Sequence, residues 1–499
     1  MQRSLTSGFL SIVNAKLLMS LIGVATLPLI VRVLGPTGYG DYAFLLSTFS
    51  LLMILVSSGV TEGVQKFVAE DRTDAWRERI VGFYLRLALL LAVLGSLAVA
   101  GVTWSGLVSR LLAPRFETYF YLLAGLVLTA QLRSFTRRAL LGLGLEPYSE
   151  SLSVVGKLVF VGIGLGLATA GFGVAGFLAA KAIAATLFTV VGFALLARRV
   201  SIRSALSARD GSLPHQELLS FNGLNVVLVL LLMSLFHVDV LMLGVLTDSA
   251  RTGFYKAALA LAQYMWLVPT AIQTLLLHST ADLWTEGRHE RVERLAGTVT
   301  RYVFLFTALL AIGVFALADR FVPLYYGQEF AVVLGPLLVL LPGAVGFSLA
   351  RPLYGINKAS GRLVPLILAT TVAAGGNAAL NWLLIPRYGM IGAGMATSAS
   401  YGSMFALQVV CARYLGYDPL AGVRPVRALA TVAVAAPSIV GLDLLVGSTV
   451  VALAVVPLVG FCLFWAVALA TGAVDTVELR AVAATVPSPV GRVLRSLVS

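Results

Sequence analysis

The sequence predicts an all-α polytopic membrane protein with about 14 transmembrane helices. Of its 499 residues, 59% are hydrophobic and only 12% are charged, whereas roughly 25% of the residues of an average soluble domain are charged. The hydrophobic residues form successive runs of about 20 or more, the length that crosses the hydrocarbon core of a bilayer. A soluble globular fold is therefore excluded.

Runs of hydrophobic residues bounded by Gly, Pro or charge define the predicted helices. The separation is weakest within 150–197 and 427–471, where only a short turn divides two spans. The first run is too long for the core of a signal peptide, so we expect it to remain as the first span. The predicted helices cover residues 9–34, 41–69, 79–104, 116–141, 150–171, 173–197, 217–246, 250–279, 294–318, 328–350, 363–385, 390–412, 427–446 and 448–471.

The distribution of Lys and Arg predicts the orientation of these helices. When each is assigned to its nearest helix end, 28 of the 36 fall at the two termini or in the even-to-odd loops, and seven fall on the other side. Lys and Arg are retained on the cytoplasmic side of a membrane. We therefore expect a multi-pass protein of the cell (plasma or inner) membrane whose N- and C-termini are cytoplasmic.

Several classes of function are disfavoured. The net charge is +13, but the basic residues are scattered and form no patch with interleaved aromatics, so nucleic acid is not an expected partner. Cys411 and Cys462 lie in separate hydrophobic runs, which excludes a disulfide framework and predicts no metal site. No phosphate-binding loop for ATP is present. No predicted external loop is large enough for the catalytic residues of a membrane-embedded glycan enzyme, so we expect no enzymatic activity.

An internal repeat relates two halves of the chain. An offset of 213 residues brings Gly40 and Tyr42 onto Gly253 and Tyr255, and it brings Arg138, Leu140 and Gly142 onto Arg351, Leu353 and Gly355. Six helices per half give both halves the same orientation, which predicts a substrate path between two parallel lobes. The predicted domains are an N-lobe (1–200), a basic cytoplasmic linker (201–216), a C-lobe (217–415), additional helices 13 and 14 (427–471) and a cytoplasmic amphipathic tail (473–499).

One motif carries a family resemblance. The segment Arg32-Val33-Leu34-Gly35-Pro36-Thr37-Gly38-Tyr39-Gly40-Asp41-Tyr42 precedes a hydrophobic helix that ends near Glu62 and Lys66. It closely resembles the opening of Wzx-type polysaccharide and oligosaccharide flippases of the multidrug/oligosaccharidyl-lipid/polysaccharide (MOP) exporter superfamily, and the resemblance extends over about 415 residues. The extra C-terminal pair resembles the fourteen-helix arrangement of lipid II flippases, in which the added helices help to form a groove for the lipid tail.

The resemblance implies a V-shaped pair of six-helix lobes that opens alternately to each side of the membrane. The implied function is a secondary transporter that moves a polyprenyl-pyrophosphate-linked or dolichyl-phosphate-linked glycan to the outer leaflet. Membrane lipids and glycan-assembly enzymes are the implied partners. A cation-coupled multidrug exporter of the same superfamily is the alternative, although such an exporter should place acidic residues deep in its lobes, whereas the deepest charge here is Lys181.

Three charged residues lie at a similar predicted depth in helices 6, 7 and 8: Lys181, Asp239 and Lys256. Ionisable residues within a span are functional candidates. Their common depth predicts one cluster, which is either a structural ion pair or a cationic site for the lipid pyrophosphate. Asp239 and the nearby His237 are candidates for ion coupling, with the choice between H⁺ and Na⁺ left open. No other cofactor is expected.

Four further residues are candidates for binding the substrate. Lys16 and Lys157 lie about seven residues from the predicted cytoplasmic face, so they either snorkel to that face or line an inward cavity. Asn14 is close to Lys16 and suits a hydrogen bond to a glycan, and Arg32 either meets the pyrophosphate or snorkels. The amides suited to weak contacts with sugars are those of Asn222, Asn225, Gln263, Gln273, Asn377 and Asn381.

Overall fold

The computed structural model describes residues 5–70, 73–207, 213, 214, 216, 218 and 223–475, and within these ranges all regular secondary structure is helical. The protein is an all-α polytopic membrane protein, as the sequence predicts. The helices are α1 (Leu5–Ala69), α2 (Asp74–Trp104), α3 (Leu107–Leu111), α4 (Arg115–Gly142), α5 (Glu146–Leu167), α6 (Gly173–Ala197), α7 (Ile202–Ser207), α8 (Gly223–Leu246), α9 (Ser249–Tyr264), α10 (Leu267–Ser279), α11 (Ala281–Thr285), α12 (His289–Tyr326), α13 (Leu334–Ala359), α14 (Leu363–Leu415), α15 (Pro425–Leu445) and α16 (Thr449–Ala470). A π-turn (Ala168–Phe172) joins α5 to α6, and a 3-10 helix (Gln328–Val333) precedes α13.

Glycines break the longest helical segments where the sequence predicts separate spans. Gly35 interrupts α1 with φ 63° and ψ 177°, and Gly389 interrupts α14 with φ 56° and ψ −131°. Between α5 and α6, Gly171 and Gly173 have φ of 96° and 48°. A side chain disfavours these backbone angles, whereas glycine adopts them readily. Three pairs of predicted spans therefore correspond to the two halves of a long, broken helical segment.

By length and composition, nine helical segments of the described chain are able to cross a membrane, or ten when α9 and α10, bent by 53°, count as one span. Three of the nine contain the glycine breaks. Helix α4 covers the predicted span 116–141 but is not among the nine, and it carries Arg133, Arg137 and Arg138 in its second half. A helical segment thus underlies each of the fourteen predicted spans, and the protein crosses the membrane many times.

The chain divides into two compact units, and the first comprises residues up to 257 together with 378–393. In this unit α4 packs against α1, α2, α5 and α6, while α8 packs against α1. Large side chains such as Phe67, Tyr84 and Phe135 are completely or almost completely buried in its core. The Tyr84 hydroxyl donates a hydrogen bond to the Leu218 carbonyl, 3.2 Å away, and so ties α2 to the segment that precedes α8.

The second unit comprises residues 258–377 and the chain from 394 onwards. Helix α13 packs against α10 and α12. The additional helices α15 and α16 pack against each other and against α12. Arg320 of α12 fixes this arrangement, because its Nη1 and Nη2 atoms donate to the carbonyls of Val446 and Asp443 at 2.8 and 2.9 Å, and its Nε lies 3.1 Å from the Asp443 carboxylate. Contact of α15 and α16 with lipid tails stays a prediction.

Arg138 and Arg351, which the predicted repeat aligns, each donate to a glutamine of their own unit, but the repeat does not align the two glutamines. Arg138 donates to the side-chain oxygen of Gln65 at 2.5 Å, and its repeat partner Arg351 donates to that of Gln273 at 3.3 Å. The division of the compact units at 257 differs from the predicted lobe boundary at 217, so the predicted domain boundaries stay a prediction. Most of the linker 201–216 beyond α7, and the tail from residue 476 onwards, lie outside the described residues.

Candidate functional site

Two adjoining cavities lie within the first compact unit. The larger chamber has a volume of about 520 Å³ and is lined by α1, α4, α5 and α8. The smaller chamber has a volume of about 330 Å³ and is lined by α1, α4, α5 and α6. Both volumes fall in the range of small-molecule sites. The residues shared by the two chambers are Met19, Met53, Ser57, Arg133, Ser134 and Ser153.

Three arginines of α4 line the larger chamber: Arg133, Arg137 and Arg138. Arg133 and Arg137, four residues apart, share a helix face, and Arg138 adds a third guanidinium group to this arginine wall of the chamber. Arg137 pairs with Glu150 of α5, with Nη2 and Oε1 separated by 2.6 Å. The Arg133 guanidinium lies 5.1 Å from the centre of the Phe188 ring. The wall is therefore rich in groups that bind phosphate in a fixed geometry.

Two lysines line the smaller chamber. The ammonium groups of Lys157 and Lys181 lie 5.4 and 5.6 Å from the centre of the Phe160 ring, and that of Lys181 also lies 5.8 Å from the centre of the Phe49 ring. Aromatic faces attract cations at such distances. These two lysines are therefore held by a mainly hydrophobic surface beside the arginine wall.

The part of the larger chamber lined by α1 and α8 is polar but carries few charges. Helix α1 contributes the hydroxyl groups of Ser50, Ser57, Ser58 and Thr61. From α8, Asn225 donates a hydrogen bond to Glu62 Oε2 at 3.0 Å. Across the two chambers, the described lining residues carry five cationic side chains and one carboxylate, that of Glu62. The site is suited to a ligand with an anionic group and adjoining hydroxyl groups.

Asp239 belongs to a different environment. It is completely buried, and the Tyr255 hydroxyl donates a hydrogen bond to its Oδ2 atom at 2.5 Å. Lys256 interacts electrostatically with both Asp239 and His237, and the His237 Nδ1 lies 3.2 Å from the Ser47 hydroxyl. The structure therefore brings three of the predicted residues together around Asp239.

The single cluster of Lys181, Asp239 and Lys256 expected from the sequence is divided in the structure. Lys181 shares the smaller chamber with Lys157, a chamber that the described residues around Asp239 do not line. The reason is geometric, because α6 packs on α4 and α5 whereas α8 packs on α1. Equal depth in the membrane does not fix the direction in which a side chain points.

The structure gives less information about the remaining residues that the sequence predicts to bind the substrate. Arg32 is exposed on α1 and is not among the residues that line the two chambers. Lys16 and Asn14 belong to α1, but their side chains lie outside the described part of the structure, and so does Asn222. The structure does not test the functional roles predicted for any of these residues.

The arginine wall was missed by reasoning from the sequence. Arg133, Arg137 and Arg138 lie near the predicted cytoplasmic end of the span 116–141, and charges at that position were assigned to the loop. A signal was nevertheless present, since Arg133 and Arg137 are one helical turn apart and both fall inside the predicted span. The hydroxyl groups of α1 gave no comparable signal because Ser and Thr are common in membrane helices.

A charged contact joins three helices at the first residue of α4. Arg115 holds the Asp41 carboxylate with two hydrogen bonds, from Nε to Oδ2 at 2.5 Å and from Nη2 to Oδ1 at 3.0 Å. The same Nη2 donates to the Ser249 hydroxyl at 3.0 Å. Beside it, Gly40 packs so closely on the Ser249 carbonyl that a Cβ atom at residue 40 would overlap it. Gly40 and Asp41 of the motif thus serve close helix packing.

The family model described as "polysaccharide biosynthesis protein" matches residues 5–275. This range includes every residue that lines the two chambers. Among curated proteins, the chain is similar to the probable low-salt glycan biosynthesis flippase Agl15 of Haloferax volcanii, with 20% identity over 377 residues, which are 74% of this chain and 75% of the relative.

Solved structures share the fold. The lipid II flippase MurJ in an inward closed conformation matches with a TM-score of 0.72 and 12% identity, covering 92% of this chain and 98% of that protein. An inward-facing multidrug resistance MATE transporter of the MOP superfamily matches with a TM-score of 0.64 and 14% identity, covering 82% of this chain and 96% of that protein. The chain therefore has the MurJ/MATE fold.

Proposed function

We propose that this chain, which belongs to the polysaccharide biosynthesis protein family, is a flippase that moves a lipid-linked oligosaccharide or polysaccharide unit from the inner to the outer leaflet by alternating access. The cationic double chamber in the first unit is the observation that carries the proposal. The similarity to a probable glycan biosynthesis flippase and to the lipid II flippase fold supports it. The chain acts as a transporter and not as an enzyme.

The chemistry of the chambers matches the parts of such a lipid. A diphosphate or phosphate group is its constant anionic part, and the arginines of α4 offer paired N–H donors to phosphate oxygens. Lys157 and Lys181 add compact, strongly hydrated charges, which suit a carrier that must release its cargo. The hydroxyl groups of α1 and the Asn225 amide offer weak hydrogen bonds to sugars. Side chains such as Phe49 and Phe160 offer a hydrophobic surface to the hydrocarbon chain that adjoins the phosphate in such a lipid.

A cation-coupled drug exporter is the weaker proposal. The similarity to a MATE transporter extends to the fold. The five cationic side chains of the two chambers would repel a cationic drug, and the lining residues of the described chain supply a single carboxylate in return. The charge of the site therefore favours an anionic cargo.

Several finer assignments belong to the proposal. Asp239, completely buried beside Lys256 and His237, is the proposed site for coupling to H⁺ or Na⁺. The lipid carrier is a polyprenyl pyrophosphate or a dolichyl phosphate, and membrane lipids and glycan-assembly enzymes are the proposed partners. The location is the cell membrane, with both termini in the cytoplasm. Labelling of a single cysteine at Ser207 from outside the cell, after removal of Cys411 and Cys462, would contradict this orientation.

Deletion of the gene tests the function. Cells without the protein should accumulate one lipid-linked glycan on the inner leaflet, and the wild-type gene should restore its export. Lys181→Ala should reduce the restored export at least tenfold, because a hydrogen bond to a charged group contributes about 1.5–3 kcal/mol and each 1.4 kcal/mol is about a factor of ten. Arg198→Ala, an exposed cation at the end of the same helix, is the matched control.

A structural role for the lysines gives a different result. If Lys181 only stabilises the fold through its contacts with the Phe49 and Phe160 rings, the amount of folded protein in the membrane should fall together with export. Membrane levels must therefore be measured beside export. Normal export by a well-expressed double variant, Lys157→Ala with Lys181→Ala, would refute the assignment of these two lysines to the pyrophosphate.

A further inference from the structure

Glu62 is the one carboxylate among the described residues that line the two chambers. It belongs to α1, and its Oε2 atom accepts a hydrogen bond from the Asn225 amide of α8 at 3.0 Å. Asn225 is buried, and the Arg138 guanidinium interacts electrostatically with Glu62. A carboxylate repels a phosphate group, so binding of the diphosphate does not account for this residue.

Two hydroxyl groups of α1 lie beside Glu62 in the lining of the larger chamber, those of Ser58 and Thr61. Ser58 is one helical turn before Glu62 and shares its helix face. The Thr61 hydroxyl donates its proton to the Ser57 carbonyl at 3.0 Å. A hydroxyl group has one proton but two lone pairs, so Thr61 offers acceptor sites to a ligand, and an ionised carboxylate also only accepts. Ser58, Thr61 and Glu62 together form an acceptor cluster.

The acceptor cluster and the arginine wall suit different parts of one ligand. The phosphate oxygens of a lipid diphosphate sugar accept hydrogen bonds and therefore pair with guanidinium N–H groups. The hydroxyl and acetamido N–H groups of a sugar donate, and a hydrogen bond to a carboxylate is roughly twice as strong as one between neutral groups. Arg137 and Arg138 line the same chamber as the cluster. A ligand with a sugar next to its phosphates therefore satisfies both sets of side chains.

We propose that the acceptor cluster binds the donor groups of the sugar that is attached directly to the diphosphate. This inference rests on the proposed function and adds a sugar subsite, centred on Glu62, to the same chamber. The cargo is thereby oriented, with its phosphates on the arginine wall and its first sugar against α1. The selected cargo carries hydroxyl or N–H groups on that sugar, because a sugar without such groups leaves the acceptors unpaired.

Calorimetric titration of the purified full-length protein with two probes tests the subsite. The first probe is a short-chain prenyl diphosphate hexose. The second is its deoxyfluoro analogue, in which fluorine replaces each hydroxyl group of the sugar and so removes the donors but keeps the diphosphate. The wild type should bind the hexose probe at least about tenfold more tightly than the fluoro probe, which is the contribution of one hydrogen bond to a charged group.

Two substitutions change the cluster and nearly keep the shape of the side chain. Glu62→Gln replaces the charged acceptor by a neutral one, so the ratio of the two affinities should fall by about fivefold or more. Its affinity for the fluoro probe should not fall, because one negative charge fewer faces the diphosphate. Thr61→Val removes the hydroxyl group, and the ratio should fall by about two- to tenfold.

Thr48→Val is the matched control for Thr61→Val. Thr48 also belongs to α1, and its hydroxyl makes the same kind of bond, to the Phe44 carbonyl four residues earlier at 3.0 Å. It is not among the residues that line the two chambers. This variant should keep the wild-type ratio of the two affinities.

The outcomes separate this inference from the proposed function. A wild type that binds both probes equally tightly, or an unchanged affinity ratio in Glu62→Gln, would overturn the subsite and leave the binding of the diphosphate in place. Weaker binding of both probes by the same factor in this variant would also overturn it, since Glu62 would then only hold Asn225 and Arg138 in position. If Glu62→Gln does not fold, Thr61→Val decides by the same criteria. A wild type that binds neither probe contradicts the proposed function itself.

Discussion

Replacement of Arg115 by alanine should destabilise the protein because it leaves a buried carboxylate without its partner. Asp41 has an exposed fraction of 2%, and both of its oxygens accept hydrogen bonds from Arg115. The same guanidinium also binds Ser249 at the start of α9. Arg115→Ala therefore removes three hydrogen bonds that connect α4 with α1 and α9.

The size of the effect follows from the burial of the two partners. Breaking a fully buried ion pair from one side costs roughly 3–5 kcal/mol. The Arg115 side chain is 42% exposed, so water will enter when it is truncated, and we expect a loss of about 2–3 kcal/mol in the free energy of unfolding. Asp41→Asn removes the charge but keeps a hydrogen-bond acceptor, and it should cost about 1 kcal/mol.

A double-mutant cycle measures the interaction between the two residues. The free energy of unfolding of the wild type, the two single variants and the double variant is compared in mixed detergent micelles. The double variant should be about 2 kcal/mol more stable than the sum of the single effects predicts, because no unpaired charge remains buried. Arg110→Ala, an exposed arginine on α3, should change stability by less than about 0.5 kcal/mol. Simple additivity of the two single effects would refute this reasoning.

Two further predictions concern helix packing. Gly40→Ala places a Cβ atom on the Ser249 carbonyl and should lower the free energy of unfolding by about 1–3 kcal/mol in the same assay. Gly125→Ala, where the added Cβ atom meets open space, should not lower it. Equal losses of stability in the two variants would contradict the packing argument. Arg320→Ala removes the contacts with Asp443 and the carbonyl that follows α15, so hydrogen exchange should accelerate in α15 and remain unchanged in α5. Unchanged exchange in α15 would show that Arg320 does not hold it.

Much of the fold is predictable from the sequence because membrane helices are defined by hydrophobic length and by the residues that interrupt it. Gly35 and Gly389 mark breaks that the structure places at the same glycines. The internal repeat that aligns Arg138 with Arg351 stays a prediction, because the glutamines to which they donate, Gln65 and Gln273, are not aligned by it. Helix α12 is longer than the predicted span 294–318 at both ends, because charged residues lie just before and just after that span.

The site is less predictable, because a sequence gives depth along a helix but not the neighbour that a side chain meets. The sequence marks Lys157 and Lys181 as charges within predicted spans, and both line the smaller chamber in the structure. Asp239 has a predicted depth similar to that of Lys181, but its partner in the structure is Tyr255 of α9. The Arg137–Glu150 ion pair is not predictable either, because the sequence offers only two charges 13 residues apart.

The most direct test of the cationic chambers is the rate at which a lipid-linked diphosphate sugar crosses between the leaflets of proteoliposomes. Arg133→Gln combined with Lys181→Gln removes two of the five cations and leaves the shape of the lining nearly unchanged. Its rate should fall at least tenfold relative to the wild type, given about 1.5–3 kcal/mol for each charged contact with the phosphates. A double variant with Arg110→Gln and Arg198→Gln, both exposed, should keep the wild-type rate. Transport at the wild-type rate by the folded Arg133→Gln, Lys181→Gln protein would contradict the account.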